Sequence, residues 1–135
     1  MIQALEKIVG RDGVLATPED LAVYSYDGTF AEGRPQAVVL PRTTGQTADI
    51  VRLAARERIP LVARGMGSGL AAGSIPATGG GIVVCFTRMN RILEIDTVNA
   101  AARVEAGVVT ADLQAAVERK GLFYPPDPSS IRHAT

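Results

Sequence analysis

Apolar residues at Ile2, Leu5, Ile8 and Val9 recur at the spacing of one helical face, and Gly10 behind them offers a left-handed stop. The spacing predicts a helix over 2–9. Thr17 followed by Pro18 reads as an N-cap and a first helical residue, so PEDLAVYSYD is expected to hold one or two turns. AVVLP, Ala37 to Pro41, is a compact apolar run of strand type. Thr47 is then expected to cap ADIVRLAARER, whose Ile50, Val51, Leu53 and Ala54 cover one side and whose end is marked by Pro60. IPLVARG reads as the next strand, and strand, helix, strand at this short spacing predicts a right-handed βαβ unit.

GIVVCFTRM, rich in β-branched residues, reads as a third buried strand, giving a small sheet of three parallel strands. The pattern then changes. Leu93 and Ile95 in ILEID alternate with polar residues, AARVEAGV matches as an antiparallel neighbour, and the Asn99 region offers the turn. Thr110 is expected to cap ADLQAAVERK, with Gly121 at its end, before FYPPDPSS imposes an extended course. TADI at Thr47 and TADL at Thr110 look like a repeat, but their flanks differ, and a shared capping role accounts for both.

Composition narrows the class of protein. The chain has 135 residues, 47% hydrophobic and 21% charged, which suits one globular domain with a real core. Fourteen basic and fourteen acidic residues cancel, so nucleic acid is not an expected partner. No apolar run approaches the ~20 residues of a membrane-spanning helix, and MIQALEKIVGRDG lacks the order of a signal peptide, so the expected location is the cytoplasm. The single Cys85, inside an apolar run, reads as a buried structural thiol, and no metal-ligand cluster accompanies it.

The chemistry concentrates in LVARGMGSGLAAGSIPATGGG, Leu61 to Gly81, with seven glycines. Gly65, Gly67 and Gly69 alternate after a strand, so several positive φ values could turn successive N–H groups toward one point, an anion nest. Leu70 occupies the third glycine position of a dinucleotide fingerprint, Pro76 excludes the helix that should follow, and the Gly-Lys-Ser/Thr of a P-loop is absent. An extended loop without a helix dipole suits a diphosphate, with Arg64 as a candidate counter-charge. A flexible surface loop without a ligand stays open as the other reading. Leu70, Ala71, Ala72 and Ile75 favour a packed loop. PPDPSS, Pro125 to Ser130, reads either as a rigid polar wall or as a proline-rich turn.

In order, AVVLPRTTGQTADIV, IPLVARGMGSGLAAGSIP, MNRILEIDTVNAAARVEAGV and GLFYPPDPSS resemble the FAD-linked oxidases of the vanillyl-alcohol oxidase and p-cresol methylhydroxylase superfamily. The resemblance is strongest to the branch that holds the D subunit of glycolate oxidase and the FAD-dependent D-lactate dehydrogenases. It implies an α+β fold, an FAD-binding domain of the PCMH type. This has a small parallel βαβ lobe at about 1–90 and the beginning of a second, antiparallel lobe at about 91–135. The resemblance also implies that Arg64, Gly65, Met66, Gly67, Ser68, Gly69, Leu70 and Gly73 cradle the diphosphate of FAD. Pro126, Asp127, Pro128, Ser129 and Ser130 would pass beside the flavin, with Gly107 and Val108 near it at the start of the second lobe.

The implied substrate is a small 2-hydroxy acid in the complete enzyme, with other oxidase subunits as candidate partners and membrane-peripheral placement of the whole enzyme left open. Family members continue past PPDPSS into a Thr-Ile-Gly-Gly-Asn-like stretch and a separate substrate domain. The chain therefore reads as a front part without catalytic residues of its own, expected to bind FAD weakly and to self-associate. His133 reads as a solvated terminal residue. A non-catalytic module that associates with a fuller oxidase subunit is the alternative. The enolpyruvyl-sugar reductases are a more distant one, disfavoured by the pairing of VARGMGSGL with PPDPSS.

Overall fold

The structure, a computed structural model, describes residues 1–76 and 80–135. Ala77, Thr78 and Gly79 of the glycine-rich stretch lie outside the described residues.

Helix α1 (Ile2–Val9) buries Leu5 and Val9 and ends at Gly10, whose φ of 81° reverses the chain. Strand β1 (Val14–Leu15) follows, then α2 (Pro18–Val23), where the Thr17 hydroxyl accepts from the Asp20 N–H at 3.2 Å. The helix stops before Tyr24, so the segment Tyr24–Asp27 is loop, and this loop returns below as part of the site. Strands β2 (Ala37–Val39), β3 (Leu61–Arg64) and β4 (Ile82–Cys85) are parallel, and α3 (Thr44–Glu57) connects β2 to β3.

The sheet has four strands rather than three, in the order β1-β2-β4-β3, because β1 adds itself antiparallel to β2. Alternation along the central strands divides the core. Ala37, Val39, Ile82 and Val84 face α1 and α3, where they meet Leu5, Val9, Ile50 and Leu53. Val38, Val83 and Cys85 face the other way, toward Leu40, Leu21 and Tyr24. With both faces covered, the central strands read as continuous apolar runs. Cys85 is buried as expected, its thiol directed at the Gly65 carbonyl 3.6 Å away. β4 ends at Cys85; Phe86–Arg88 is a tight 3-10 turn, so the strand is shorter than the apolar pattern predicts.

Two capping expectations fail for identifiable reasons. α3 begins at Thr44, because the Thr43 hydroxyl accepts from Gln46 N–H at 3.1 Å while Gln46 Oε1 accepts from Arg42 N–H at 2.7 Å. This reciprocal pair satisfies the helix start three residues before Thr47, whose hydroxyl donates to the Thr43 carbonyl instead. Val51 points away from the buried Ile50, Leu53 and Ala54 and is about half exposed. The second failure is at Thr110, which is already inside its helix.

Strands β5 (Ile92–Asp96) and β6 (Ala101–Val104) form an antiparallel hairpin, turned by the Asp96 carboxylate, which accepts from the Val98 and Asn99 N–H groups at 3.0 Å each. Helix α4 (Thr110–Glu118) packs Leu113 and Val117 with Val108 against Ile92 and Ile95. Among the described residues no side chain caps α4. The N–H groups of Thr110 and Ala111 donate to the carbonyls of Ala134 and Ile131, at 2.8 and 3.2 Å. The final residues thus satisfy the helix start that a Thr110 hydroxyl was expected to satisfy. Among the described residues no helix is long and apolar enough to cross a membrane.

Gly107 ties the first unit, the four-stranded sheet, to the second unit, the β5–β6 hairpin with α4. Its N–H donates to the Met89 carbonyl at 2.8 Å, and a Cβ there would overlap the Phe86 carbonyl. Only glycine lets these backbones approach so closely.

Candidate functional site

The carboxyl end of β3 opens into the loop Gly65–Pro76. Of the three alternating glycines only Gly67 has a positive φ, 76°, so the expected run of left-handed residues reduces to one, joined further on by Ala72 at 54°. Even so, among the described residues the N–H groups of Met66, Gly67, Ser68, Gly69 and Leu70 have no hydrogen-bond partner. Donors without an internal partner on a partly exposed loop are open to water or to a ligand.

Four of these residues, Met66 to Gly69, border a pocket of about 300 Å³, lined by Gly65–Gly69, Ser74, Ser130, Ala134 and Thr135. The glycine loop forms one wall and the closing turn of the chain the other. That turn is built by Ile131 N–H donating to the Pro128 carbonyl and by the N–H groups of His133 and Ala134 converging on the Ser130 carbonyl, each at 2.7 Å. Gln114 of α4 anchors the segment before it, its side-chain amide donating to the carbonyls of Tyr124 and Pro126 at 3.2 and 2.7 Å. The Thr135 side chain lies against Gly65, where a Cβ would collide with its hydroxyl.

Two other hollows differ in chemistry. One of about 600 Å³ lies between the start of α3 and the hairpin; its carboxylate, Glu105, is already held by Arg91 at 2.6 Å. The other, about 270 Å³, is lined mostly by apolar residues of β6, α4 and Leu122–Tyr124. The larger hollow has the start of α3 and the Arg91–Glu105 pair on its rim. The glycine-loop pocket, lined by the longer run of backbone at Gly65–Gly69 and by Ser74 and Ser130, is the candidate anion site.

Arg64 does not reach into that pocket. Its guanidinium is buried beneath the loop, where Nη1 donates to the carbonyls of Tyr26 at 2.8 Å and Ser74 at 3.4 Å and the group lies 5.3 Å from the centre of the Tyr24 ring. A Cβ at Gly67 would strike this guanidinium, which together with the positive φ requires glycine at that position. Ser74 Oγ donates to Asp27 Oδ2 at 3.2 Å, and Asp27 Oδ1 accepts from the N–H and hydroxyl of Thr29 at 2.9 and 2.7 Å. The Thr29 hydroxyl, its N–H, Ser74 and the charge of Arg64, in that order of weight, hold the Asp27 carboxyl below its ordinary value despite burial. Burial pushes the Tyr24 phenol upward.

Of the residues singled out in the sequence, the structure brings Gly65, Met66, Gly67, Ser68, Gly69 and Ser130 to one pocket. Leu70 is 78% exposed, so the apolar end of the loop is less packed than expected, although Ile75 is buried. Gly73 stands in open space beyond the lining. Pro126, Asp127 and Ser129 are exposed, Pro128 is half-buried, and none of them lines the pocket. Gly107 and Val108 lie at the joint and core of the second unit. His133 is exposed.

Ser74, Ala134 and Thr135 line the pocket without having been singled out, and Tyr24, Tyr26, Asp27 and Thr29 brace it. The Asp-Gly-Thr order at 27–29 does signal a side-chain-stabilised turn. Nothing local in it tells which loop, about 40 residues on, that turn will hold.

The family model described as FAD binding domain matches residues 35–135. Glycolate oxidase subunit GlcD of Bacillus subtilis (strain 168) is 49% identical over 114 residues, covering 84% of this chain and 24% of the relative. D-lactate dehydrogenase of Anaerostipes hadrus is 34% identical over 112 residues, covering 83% and 22%. The solved p-cresol methylhydroxylase superposes with a TM-score of 0.79 and 24% identity over 90% of this chain and 24% of its own, a likeness of fold. The chain spans about a quarter of the length of these relatives. The matched residues contain the whole free-donor loop and the turn that faces it. The chain belongs to the FAD binding domain family, with FAD as its cofactor.

Proposed function

We propose that this chain is the FAD-binding portion of an FAD-dependent oxidoreductase that oxidises a small 2-hydroxy acid of the glycolate or D-lactate type. The observation that carries the cofactor reading is the row of N–H groups from Met66 to Gly69, unpartnered among the described residues, on a pocket that Ser130 closes from the other side. Such a row offers an anion several donors at no cost in broken internal bonds, which suits a diphosphate. In this reading the N–H groups hold the diphosphate, the open backbone of Gly69 lets it approach, Gly65 seats the Thr135 side chain at the pocket's edge, and the Ser130 hydroxyl adds a donor. Arg64 acts from beneath the loop, while Pro126–Ser129, Gly107, Val108, Leu70 and Gly73 would border the longer course of the cofactor. When bound, FAD supplies the acceptor for the hydride equivalent that leaves the α-carbon of the hydroxy acid. The substrate class rests on the likeness to a glycolate oxidase subunit and a D-lactate dehydrogenase.

Titration of the purified chain with FAD, followed by flavin fluorescence, tests the cofactor reading. Saturable binding is expected, weakened about tenfold or more by Gly67→Val, which strains the loop and removes one or two charge-assisted hydrogen bonds. No saturable binding by the wild-type chain overturns it. Exposed Leu93, Val104, Phe123 and Tyr124 favour a second reading, a module seated on another oxidase subunit. Retention of such a subunit by the chain and its loss in Leu93→Ser would favour that reading.

A further inference from the structure

The free donors of the glycine loop are useful to a ligand only if the loop holds its shape before the ligand arrives, and among the described residues no helix follows the loop to impose that shape. Preorganisation of this kind reduces the ordering that binding would otherwise require. What lies under the loop is a pair of buried, oppositely charged side chains that never touch the pocket themselves. Arg64 leaves β3 and donates to two backbone carbonyls, one on each of two loops: Tyr26 and Ser74. Asp27 accepts from Ser74 Oγ and from Thr29, on the same two loops. Ser74 is the joint, its carbonyl held by the cation and its hydroxyl by the anion. A third tie, Gly28 N–H to the Gly69 carbonyl at 3.1 Å, runs between the same loops on the donor side.

We propose that Asp27 and Arg64 are positioning residues that clamp the loop 65–74 to the loop 24–29, and so hold the N–H groups of 66–69 at the pocket. The inference rests on the reading of that pocket as the diphosphate site and adds a cause for its shape. Each charge has a stated task. The planar guanidinium serves two carbonyls and stacks on Tyr24, a geometry that a lysine ammonium does not reproduce. The carboxylate keeps Ser74 Oγ turned inward and completes the turn at Thr29, while the opposite charges offset one another's burial. Arg64 also adds positive potential below Gly67. If that potential were its whole contribution, lysine would serve equally well.

The test uses the full chain and the variants Arg64→Lys, Asp27→Asn, Asp27→Ala and Ser74→Ala, with two readouts. The first is the backbone order parameter of residues 66–70 by ¹⁵N relaxation in the ligand-free protein. Wild type is expected at about 0.85, and Arg64→Lys and Asp27→Ala below about 0.6, with Ser74→Ala and Asp27→Asn between them. The second is affinity for ADP, which carries the diphosphate, against riboflavin, which does not. Arg64→Lys and Asp27→Ala are expected to weaken ADP about tenfold and leave riboflavin unchanged. Ser74→Ala and Asp27→Asn keep the fold's buried volume, so they decide the matter if the harsher variants do not fold. Unchanged loop order in all folded variants overturns the clamp. Wild-type affinity for ADP in Arg64→Lys overturns the positioning role of Arg64. A wild-type chain that binds neither FAD nor ADP defeats the cofactor reading, and the order parameters still judge the clamp on their own.

Discussion

Val83 and Leu93 are aliphatic residues in neighbouring strands of the chain, yet Val83 is fully buried and Leu93 is 46% exposed. The difference lies in what surrounds the strands. β4 has β2 and β3 on its two edges and packed side chains on both faces, so every residue from Ile82 to Cys85 is buried. The β5–β6 hairpin has two strands, α4 on one side, and no residue of β6 better than exposed. An isolated two-stranded ribbon is at best marginally stable, so the second unit depends on α4, on the closing turn and on the Gly107 joint to the first. A strand's sequence states that it wants a partner; the topology decides whether it has one.

The largest expected effect is in the first unit. Ile50→Ala removes a fully buried side chain between α3 and the sheet and should cost about 2–5 kcal/mol in urea unfolding. A loss under about 1 kcal/mol would mean that this core is no tighter than the second. Next comes Gly107→Val, which drives a side chain into the Phe86 carbonyl and should cost about 2–3 kcal/mol. Hydrogen exchange should show β5, β6 and α4 losing protection while β2 and β4 keep theirs. Equal loss in both units would dissolve the distinction between them.

The same contrast explains what could be read from the residues alone. The amphipathic face of α1, the buried runs of β2 and β4 and the Thr17-Pro18 start are local patterns, and all of them form. The pattern failed where another group satisfies the helix start, a near neighbour in one case and a distant segment in the other. Thr47 yields to the Thr43 and Gln46 pair, and Thr110 yields to the carbonyls of Ala134 and Ile131. β1 is two residues long, too short to register as a strand before it finds β2. At the site, glycine spacing marked the loop, whereas the clamp under it joins residues 38 and 47 positions apart and leaves no local signature.

A smaller effect distinguishes the units by pH. Asp27 in the first unit and Glu105 in the second are both held below their ordinary values, Asp27 chiefly by Thr29 and Glu105 chiefly by Arg91. A carboxyl depressed in the folded state contributes stability that is complete above its unfolded value and is lost as pH falls through the folded one. For Asp27 that loss begins near the ordinary 3.8 and continues below it. Asp27→Asn cannot titrate, so its stability should fall less steeply than wild type over that acid window, and its loop order should already be reduced at pH 7. An identical acid slope in the variant would detach Asp27 from the folded state's proton balance.

The smallest expected change in stability is Leu93→Ser on the open face of the hairpin. Leu93 is 46% exposed, so only part of its apolar area returns to water on unfolding, and the cost should stay within about 1 kcal/mol. Its effect should appear in association instead. Leu93 and Val104 border the cleft beside Phe86 and Met89, and Phe123 adds 76% exposed aromatic surface nearby on the same unit. Exposed apolar groups on a ribbon with free edges favour contact between copies. Sedimentation velocity should show the wild-type chain shifting to larger species as concentration rises and Leu93→Ser shifting less. A wild-type chain that sediments as a monomer at every concentration would show that the hairpin's edges and apolar face are already protected, and the contrast between Val83 and Leu93 would then be one of exposure without consequence.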